Sequence, residues 1–270
     1  MDIMEVYNFK AGMTPLLVSI PHCGTHVPAP IAARMTTEAR ALADTDWHLE
    51  QLYNFATDLG ASVLAATHSR YVVDLNRPPD GAALYPGADN TELCPTTTFA
   101  RDPIYHNGEA PGAAEIDQRV ATYWRPYHDK LAATLAELRA THGVALLFDT
   151  HSIASRVPRF FDGRLPDFNL GTGGGTSADP DLAAGLLAIC DHAAGFTSVL
   201  NGRFTGGYIT RTYGDPAANI HAVQLEQSQI TYMNEDAPFA YRPDRADDVR
   251  PVLKALLGDM LAWGNDHAGH

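Results

Sequence analysis

The chain has 270 residues, 45% of them hydrophobic and 19% charged, which is typical of a globular protein and not of a disordered, collagen-like or coiled-coil chain. Its 32 acidic and 19 basic side chains give a formal net charge of −13, which argues against a protein that binds nucleic acid or lies on an anionic membrane. The apolar runs are also far shorter than the roughly 20 residues of a transmembrane helix.

The cysteine content and the first residues bear on the compartment. Cys23, Cys94 and Cys190 are scattered and odd in number, so they predict no disulfide framework and favour a reducing cytoplasm. The N-terminal sequence MDIMEVYNFKAG lacks the basic and then apolar pattern of a secretion signal. No linker or internal repeat divides the chain, so we expect one domain over residues 1–270. These patterns do not indicate an oligomeric state.

Short apolar runs rich in β-branched residues alternate along the chain with stretches of helical periodicity. Strands are predicted at residues 16–20, 62–66, 71–75, 145–149, 198–201 and 222–226. Helices are predicted near residues 45–60, 114–142, 180–195 and 246–263, with Asp179 as the N-cap of the third. Pro126 is expected to kink or divide the second helix. This alternation predicts an α/β fold with a mixed, largely parallel central sheet.

One segment has a biased composition, the GTGGGTS run at residues 171–177. It lacks the Gly-Lys-Ser/Thr ending of a phosphate-binding loop, and no apolar strand immediately precedes it. We interpret it as a mobile loop, with a lid over the substrate as the alternative.

Polar and ionisable side chains follow or end several of the predicted strands. His22 follows the first strand, Asn76 and Arg77 follow the third, His151 follows the fourth, and Glu226 ends the last. Ligands of open α/β sheets bind outside the carboxyl ends of the strands, so these distant residues are expected to converge.

Two histidines at strand exits, His22 and His151, predict a divalent metal site, with zinc as the typical ion. A carboxylate should supply the third ligand, and Asp46 is preferred over the neighbouring Asp44. The alternative is that both histidines are buried and hydrogen-bonded and that the aspartate caps a helix. Asp149, two residues before His151, is placed to orient a ligand.

The segment SRYVVDLNRP, residues 69–78, concentrates Arg70, Asn76 and Arg77. Two arginines and an amide in an acidic protein favour recognition of a carboxylate, with surface salt bridges as the alternative. On a straight strand Arg70 and Arg77 would lie about 20 Å apart. Both can therefore reach one pocket only if the chain bends here.

Glu226 ends a strand that is expected to be buried, where a carboxylate is costly unless it is paired or functional. Beside a metal site it would serve as general base and then general acid, and the alternative is a charge that ends a strand. Cys23 is a weaker candidate nucleophile, because neighbours on an extended chain point to opposite sides and Cys23 therefore points away from His22. No G-x-S-x-G or H-E-x-x-H motif is present.

Seven stretches of the chain resemble the N-formylglutamate amidohydrolases of histidine degradation. In order they are PHCGTHVP (21–28), DTDWHLEQLY (44–53), SRYVVDLNRP (69–78), YWRPYHDKL (123–131), FDTHS (148–152), NGRFTGGYITRTYG (201–214) and QLEQSQITYMNE (224–235). They are distributed in order through nearly the whole chain. The resemblance implies a relative of the zinc carboxypeptidase and aspartoacylase superfamily, with a three-layer α/β/α fold.

The resemblance also implies a role for each matching residue. Metal ligands would be His22, Asp46 and His151, the base would be Glu226, Arg70 would serve the oxyanion, and Asn76 with Arg77 would bind a substrate carboxylate. The superfamily places an acid three residues after its first histidine, and this position is Thr25 here. The third ligand must therefore come from elsewhere in the chain.

The activity implied is metal-dependent hydrolysis of N-formyl-L-glutamate to L-glutamate and formate, the last step of a histidine degradation route. Arg211 is a further candidate, for the second carboxylate of glutamate, although a surface role fits it equally well. The alternatives are a related zinc amidohydrolase that acts on another N-acyl amino acid and a non-catalytic protein that binds a metal or an amino acid.

Overall fold

The computed structural model describes residues 4–84, 87 and 89–268, and seven strands within these ranges form one sheet. The strands, in chain order, are β1 (Tyr7–Lys10), β2 (Leu16–Ile20), β3 (Ser62–Ala66), β4 (Ala145–Ile153), β5 (Phe168–Gly171), β6 (Ser198–Leu200) and β7 (Ile220–Ser228). Their order across the sheet is β1-β3-β2-β4-β7-β5-β6.

The strand pairing is mixed and largely parallel. β2 pairs in parallel with β3 and β4, β4 with β7, and β5 with β6, whereas β1 and β5 run antiparallel to β3 and β7. This arrangement brings the carboxyl ends of β2, β4 and β7 to one edge at the centre of the sheet. The prediction of a mixed, largely parallel sheet is confirmed.

Helices cover both faces of the sheet, as predicted for an α/β fold. Their bounds are α1 (Ala29–Ala32), α2 (Leu49–Leu52), α3 (Ala113–Arg119), α4 (Arg125–His142), α5 (Pro180–His192), α6 (Tyr208–Tyr213) and α7 (Pro243–His267). Alternate residues of β4 divide between two apolar cores, with Leu146 packed on the α5 and α7 side and Leu147 on the α4 side. Within the described ranges, no helix combines the length and apolarity needed to cross a bilayer.

The strand predicted at residues 71–75 is wrong, because this segment is irregular. Its apolar side chains pack into two different cores, Val72 into one and Val73 with Leu75 into another. A regular hydrogen-bond ladder is replaced by separate contacts, such as Asp74 N–H to the Leu93 carbonyl at 2.7 Å. The bend that Arg70 and Arg77 require is therefore present.

The helix predictions can be compared with the structure at three places. The helix expected at residues 45–60 is only the short α2 and a 3₁₀ turn, Asn54–Thr57. Pro126 has no N–H to donate to the carbonyl of Thr122. At this place a π-helical turn, Val120–Trp124, joins α3 to α4, so the predicted long helix continues without a break. Asp179 caps α5 as predicted, since its side chain accepts from Asp181 N–H at 2.8 Å.

Helix α4 holds the irregular segment through His128 and Trp124. His128 Nε2 donates to the carbonyl of Leu75 at 2.8 Å, so its Nδ1 accepts from the hydroxyl of Tyr213 at 2.9 Å. Trp124 stacks on this imidazole at 3.6 Å and donates to the carbonyl of Arg77 at 3.0 Å. Burial lowers the pKa of His128 to about 4, so the imidazole is neutral at pH 7 and its Nδ1 is the acceptor in this pattern.

The protonation of His128 makes the stability of the fold depend on pH. Between its folded pKa of about 4 and an unfolded value near 6.5, the unfolded chain binds more protons, so stability is complete above pH 6.5 and falls as the pH drops. We expect His128 to contribute about 2 kcal/mol to the loss of unfolding free energy between pH 7 and pH 5. Urea unfolding of wild type and His128→Gln at both pH values measures it. The exposed His106→Gln is the control, and an equal pH slope in wild type and His128→Gln would contradict the assignment.

Candidate active site

Three buried side chains that could bind a metal meet near the carboxyl ends of β2 and β4. His22 lies in the turn after β2, Asp46 lies in the loop before α2, and His151 lies within β4, which extends further than predicted. Nδ1 of His151 is 3.1 Å from Nδ1 of His22 and 3.2 Å from Oδ2 of Asp46, and the remaining pair is 3.6 Å apart. The backbone N–H of Asp46 donates to the carbonyl of His22 at 3.1 Å, which fixes the loop against the strand exit.

The opposite nitrogen of each imidazole faces a buried carboxylate. Nε2 of His22 is 2.8 Å from Asp74 Oδ1, and Nε2 of His151 is 3.1 Å from Asp149 Oδ2. Because a carboxylate only accepts, Nε2 of His22 carries the proton and its Nδ1 directs a lone pair at the shared point. Nε2 of His151 has two neighbours, the Asp149 carboxylate and the amide nitrogen of Asn76 at 3.0 Å, and the proton is assigned to this nitrogen on the strength of the carboxylate. Carboxylates behind metal-binding histidines act in this way, and Asp149 has the orienting position predicted for it.

These separations fit a bound divalent cation. Two ligands about 2.0–2.1 Å from a tetrahedral zinc ion are about 3.3 Å apart, close to the three distances found here. Two imidazole nitrogens and one carboxylate oxygen are also a ligand set that zinc accepts, and it leaves positions open. The chain therefore offers His22, Asp46 and His151 as a metal site.

Asp44, the competing aspartate, has another role. Its carboxylate accepts from the backbone N–H of Phe99 at 2.8 Å and does not join the group formed by the two histidines. The geometry thus favours Asp46 as the third ligand.

The buried carboxylates around the two imidazoles favour additional positive charge at this point. Burial alone would raise the pKa of Asp46, but His151 and His22 hold it well below its usual range. Burial would lower the pKa of His151, but Asp149 and Asp46 raise it well above the ordinary value. Protonation of His151 or a cation at the shared point would supply this charge.

The irregular segment brings Arg70 and Asn76 to the same point. Arg70 Nη2 donates to Asp74 Oδ2 at 2.6 Å, and its Nη1 is 3.9 Å from Asp46. Asn76 lies next to His151, with its amide nitrogen 3.0 Å from Nε2. A Cβ at Gly207 would lie 2.1 Å from that amide nitrogen, so this close approach requires glycine.

Glu226 is adjacent to His151 in the sheet, since the two are paired in register on the parallel strands β7 and β4. Only 8% of Glu226 is exposed, and burial raises its pKa to about 8. Gln224, two residues earlier on the same face, accepts from Gly207 N–H at 2.6 Å and donates to Glu226 at 3.3 Å. The Gly207 contact fixes which way the Gln224 amide points, so its NH₂ group faces the carboxylate.

A cleft with about 570 Å³ of empty space, partly open to solvent, contains these groups. Its lining includes every residue of the predicted site except Arg211: His22, Asp46, Arg70, Asn76, Arg77, His151 and Glu226. Arg211 lies on α6 and donates to the Gly206 carbonyl and the Thr205 hydroxyl, both at 2.8 Å. Arg203, which sequence reasoning missed, lines the cleft together with Phe160 and Phe204.

Two other sequence candidates lie apart from this chemistry. Cys23 Sγ donates to the carbonyls of Ile20 and Ala66, both at 3.3 Å, and burial raises the pKa of this thiol well above its usual value. The run at residues 171–177 forms a turn in which Gly175, Thr176 and Ser177 all donate to the Thr172 carbonyl, and it does not line the cleft.

Comparison with characterised proteins identifies close relatives. The family model for N-formylglutamate amidohydrolase matches residues 14–233. The N-formylglutamate deformylase of Pseudomonas aeruginosa is 56% identical over 97% of this chain and 98% of its own length, and that of Pseudomonas putida is 53% identical over 96% and 97%. A crystal structure of an N-formylglutamate amidohydrolase from Ralstonia eutropha JMP134 has the same fold, with a TM-score of 0.80, 24% identity, and coverage of 97% and 98% of the two chains.

Replacement of the two competing aspartates separates their roles. We expect Asp46→Asn to weaken zinc binding about 10²-fold or more, because Asp46 is the one anionic ligand of the three. Asp44→Asn should keep zinc, since an amide oxygen still accepts from Phe99 N–H. Elemental analysis after dialysis against graded zinc buffers measures both, and circular dichroism checks the fold. Zinc binding of wild-type strength in Asp46→Asn would exclude Asp46 as a ligand.

Proposed function

This chain belongs to the N-formylglutamate amidohydrolase family, and we propose that it hydrolyses N-formyl-L-glutamate to L-glutamate and formate with a bound divalent metal ion, zinc in the first instance. The observation that carries the proposal is the convergence of His22, Asp46 and His151 with Glu226 in one cleft. When bound, the metal would act as a Lewis acid on the formyl oxygen and lower the pKa of water.

The proposal includes the place of the reaction in the cell. The names of the two Pseudomonas relatives support the substrate, and the family resemblance supports the last step of a histidine degradation route. Cys23, Cys94 and Cys190 are free thiols, which fits the reducing cytoplasm.

Glu226 is the residue that we assign to proton transfer. It would take a proton from the attacking water and return it to the nitrogen that leaves as the amino group of glutamate. Burial raises its pKa to about 8, and a group that both accepts and donates a proton is most effective when its pKa lies near the working pH. The hydrogen bond from Gln224 orients the carboxylate for this exchange.

Arg70 and Arg77 are assigned to negative charge on the substrate. Asp74 holds the Arg70 guanidinium at 2.6 Å beside the two histidines, where it can donate to the oxygen that becomes negative during attack. Arg77 is fixed by the carbonyl and the hydroxyl of Thr91 at 3.2 and 2.9 Å, and with Asn76 it would bind one carboxylate. Arg211 is left out of this assignment, because it does not line the cleft.

A test of the function compares release of the free amino acid from N-formyl-L-glutamate, N-acetyl-L-glutamate and N-formyl-L-methionine, with formate or acetate as the second product. We expect zinc-loaded protein to prefer N-formyl-L-glutamate by about 10²-fold or more, and chelator-treated protein to be inactive until zinc is restored. Equal rates on the two formyl substrates would favour a deformylase of broad specificity. Faster cleavage of the acetyl compound would favour a different acylase, and binding without turnover would indicate a non-catalytic protein.

The role of Glu226 is tested by the isosteric change Glu226→Gln. We expect turnover to fall by about 10²–10⁴-fold, because the amide cannot accept the proton from water. Zinc content should remain at the wild-type level, since Glu226 is outside the ligand set. A variant that retains zinc and most of its activity would exclude Glu226 as the base.

A further inference from the structure

We propose that Arg203 binds the side-chain carboxylate of the substrate and thereby makes the enzyme selective for an acidic amino acid. This inference rests on the proposed function and extends it to the second charge of glutamate. The residue lies in the loop between β6 and α6 and lines the cleft that holds His22, Asp46, His151 and Glu226.

Aromatic side chains along one wall of the cleft link Arg203 to Arg70, which lies beside the metal site. The Arg70 guanidinium is 4.7 Å from the centre of the Phe99 ring, and this ring packs edge-to-face on Phe160 at 5.0 Å. Arg203 Nε donates to the carbonyl of Phe160 at 2.6 Å, and its guanidinium lies 5.2 Å from the Phe204 ring. A series of contacts through the rings of Phe99 and Phe160 thus links the cation assigned to the oxyanion with Arg203 along the lining of one cleft.

The three arginines that line the cleft, Arg70, Arg77 and Arg203, can be compared with the charged groups along N-formylglutamate. The formyl carbon and the α-carboxylate are separated by only the nitrogen and the α-carbon, so both must bind near the metal ligands. Asn76 contacts His151 at 3.0 Å, which places the Asn76–Arg77 pair next to the reacting group and suits it to the α-carboxylate. The side-chain carboxylate is two methylene groups farther from the α-carbon, and Arg203 is the arginine of the described cleft lining that remains for it after Arg70 and Arg77 are assigned.

Asp89, an acidic group of the same cleft, is already paired with protein cations. Asp89 lines the same cleft, and its carboxylate accepts from Arg159 at 3.0 Å and from Arg101 at 2.6 Å. Its repulsion of a substrate carboxylate is therefore reduced. The surroundings of Arg203 consequently suit an anionic side chain better than a neutral one.

The experiment compares N-formyl-L-glutamate with N-formyl-L-glutamine, which differs only in the charge of the side chain. In Arg203→Gln we expect kcat/KM for the glutamate compound to fall by about 10²–10³-fold, while that for the glutamine compound changes less than about threefold. The preference for glutamate should therefore collapse toward one. Arg77→Gln should lower both substrates together, because both carry the α-carboxylate.

Arg211→Gln is the competing variant. If it abolishes the preference and Arg203→Gln retains it, the second carboxylate binds Arg211 and the proposal is overturned. Equal losses on both substrates in Arg203→Gln would also overturn it, because they indicate a general role in the structure of the loop.

A binding measurement distinguishes failure of this inference from failure of the proposed function. Calorimetry with L-glutamate and L-glutamine on zinc-loaded protein needs no turnover. If the wild type does not release formate but Arg203→Gln selectively weakens L-glutamate binding by about tenfold or more, the proposed reaction is wrong and the role of Arg203 stands. If formate is released but Arg203→Gln binds L-glutamate and L-glutamine with the wild-type ratio, the proposed function stands and the role of Arg203 is wrong.

Discussion

The site depends on the direction of two imidazole lone pairs. His22 and His151 turn their Nδ1 atoms toward each other at 3.1 Å because Asp74 and Asp149 accept from the opposite nitrogens. Lone pairs that face each other beside the Asp46 carboxylate repel unless a proton or a metal ion lies between them. The buried carboxylates therefore both orient the ligands and create the demand for a cation.

Burial of so much charge is costly, and the surrounding fold satisfies each group with specific partners. Asp74 accepts from His22, from Arg70 and from the backbone N–H of Asn76 at 2.8 Å. Burial would raise the pKa of Asp74, and Arg70 and His22 hold it well below the ordinary value. An irregular segment can make all three contacts at once, whereas a regular strand would commit its backbone groups to a ladder.

Much of the fold and of the site could be predicted from the sequence, because strands and their exits leave local signals. The apolar runs at β2 and β3 have the predicted bounds, and His22 follows β2 as the pattern indicates. The strand prediction for residues 71–75 was wrong because their apolar side chains pack into two different cores, and periodicity along one segment cannot show such a division. An aspartate inside that apolar run, Asp74, was the available sign that the segment was not an ordinary buried strand.

Arg203 and Gln224 could not be predicted in the same way. Gln224 acts through Gly207, a contact between residues 17 positions apart that only the folded chain creates. Arg203 lies among glycines in NGRFTGG, as Arg211 does in a nearby run, and the sequence alone gives no reason to prefer either. The difference between them depends on where the loop and α6 pack, which is a property of the tertiary structure.

The proposed base and one proposed metal ligand lie on central strands, whereas the arginines proposed to bind the substrate carboxylates lie on irregular segments. His151 and Glu226 are paired in register on β4 and β7, and neighbouring strands are about 4.8 Å apart, so the sheet itself sets the distance between the proposed metal ligand and the proposed base. A shift of either strand by one residue would turn its functional side chain to the opposite face, so this geometry is strongly constrained. Arg77 and Arg203 lie on irregular segments that can change without altering that register. In the proposed assignment, the residues that select the substrate can therefore vary while the spacing of His151 and Glu226 is retained.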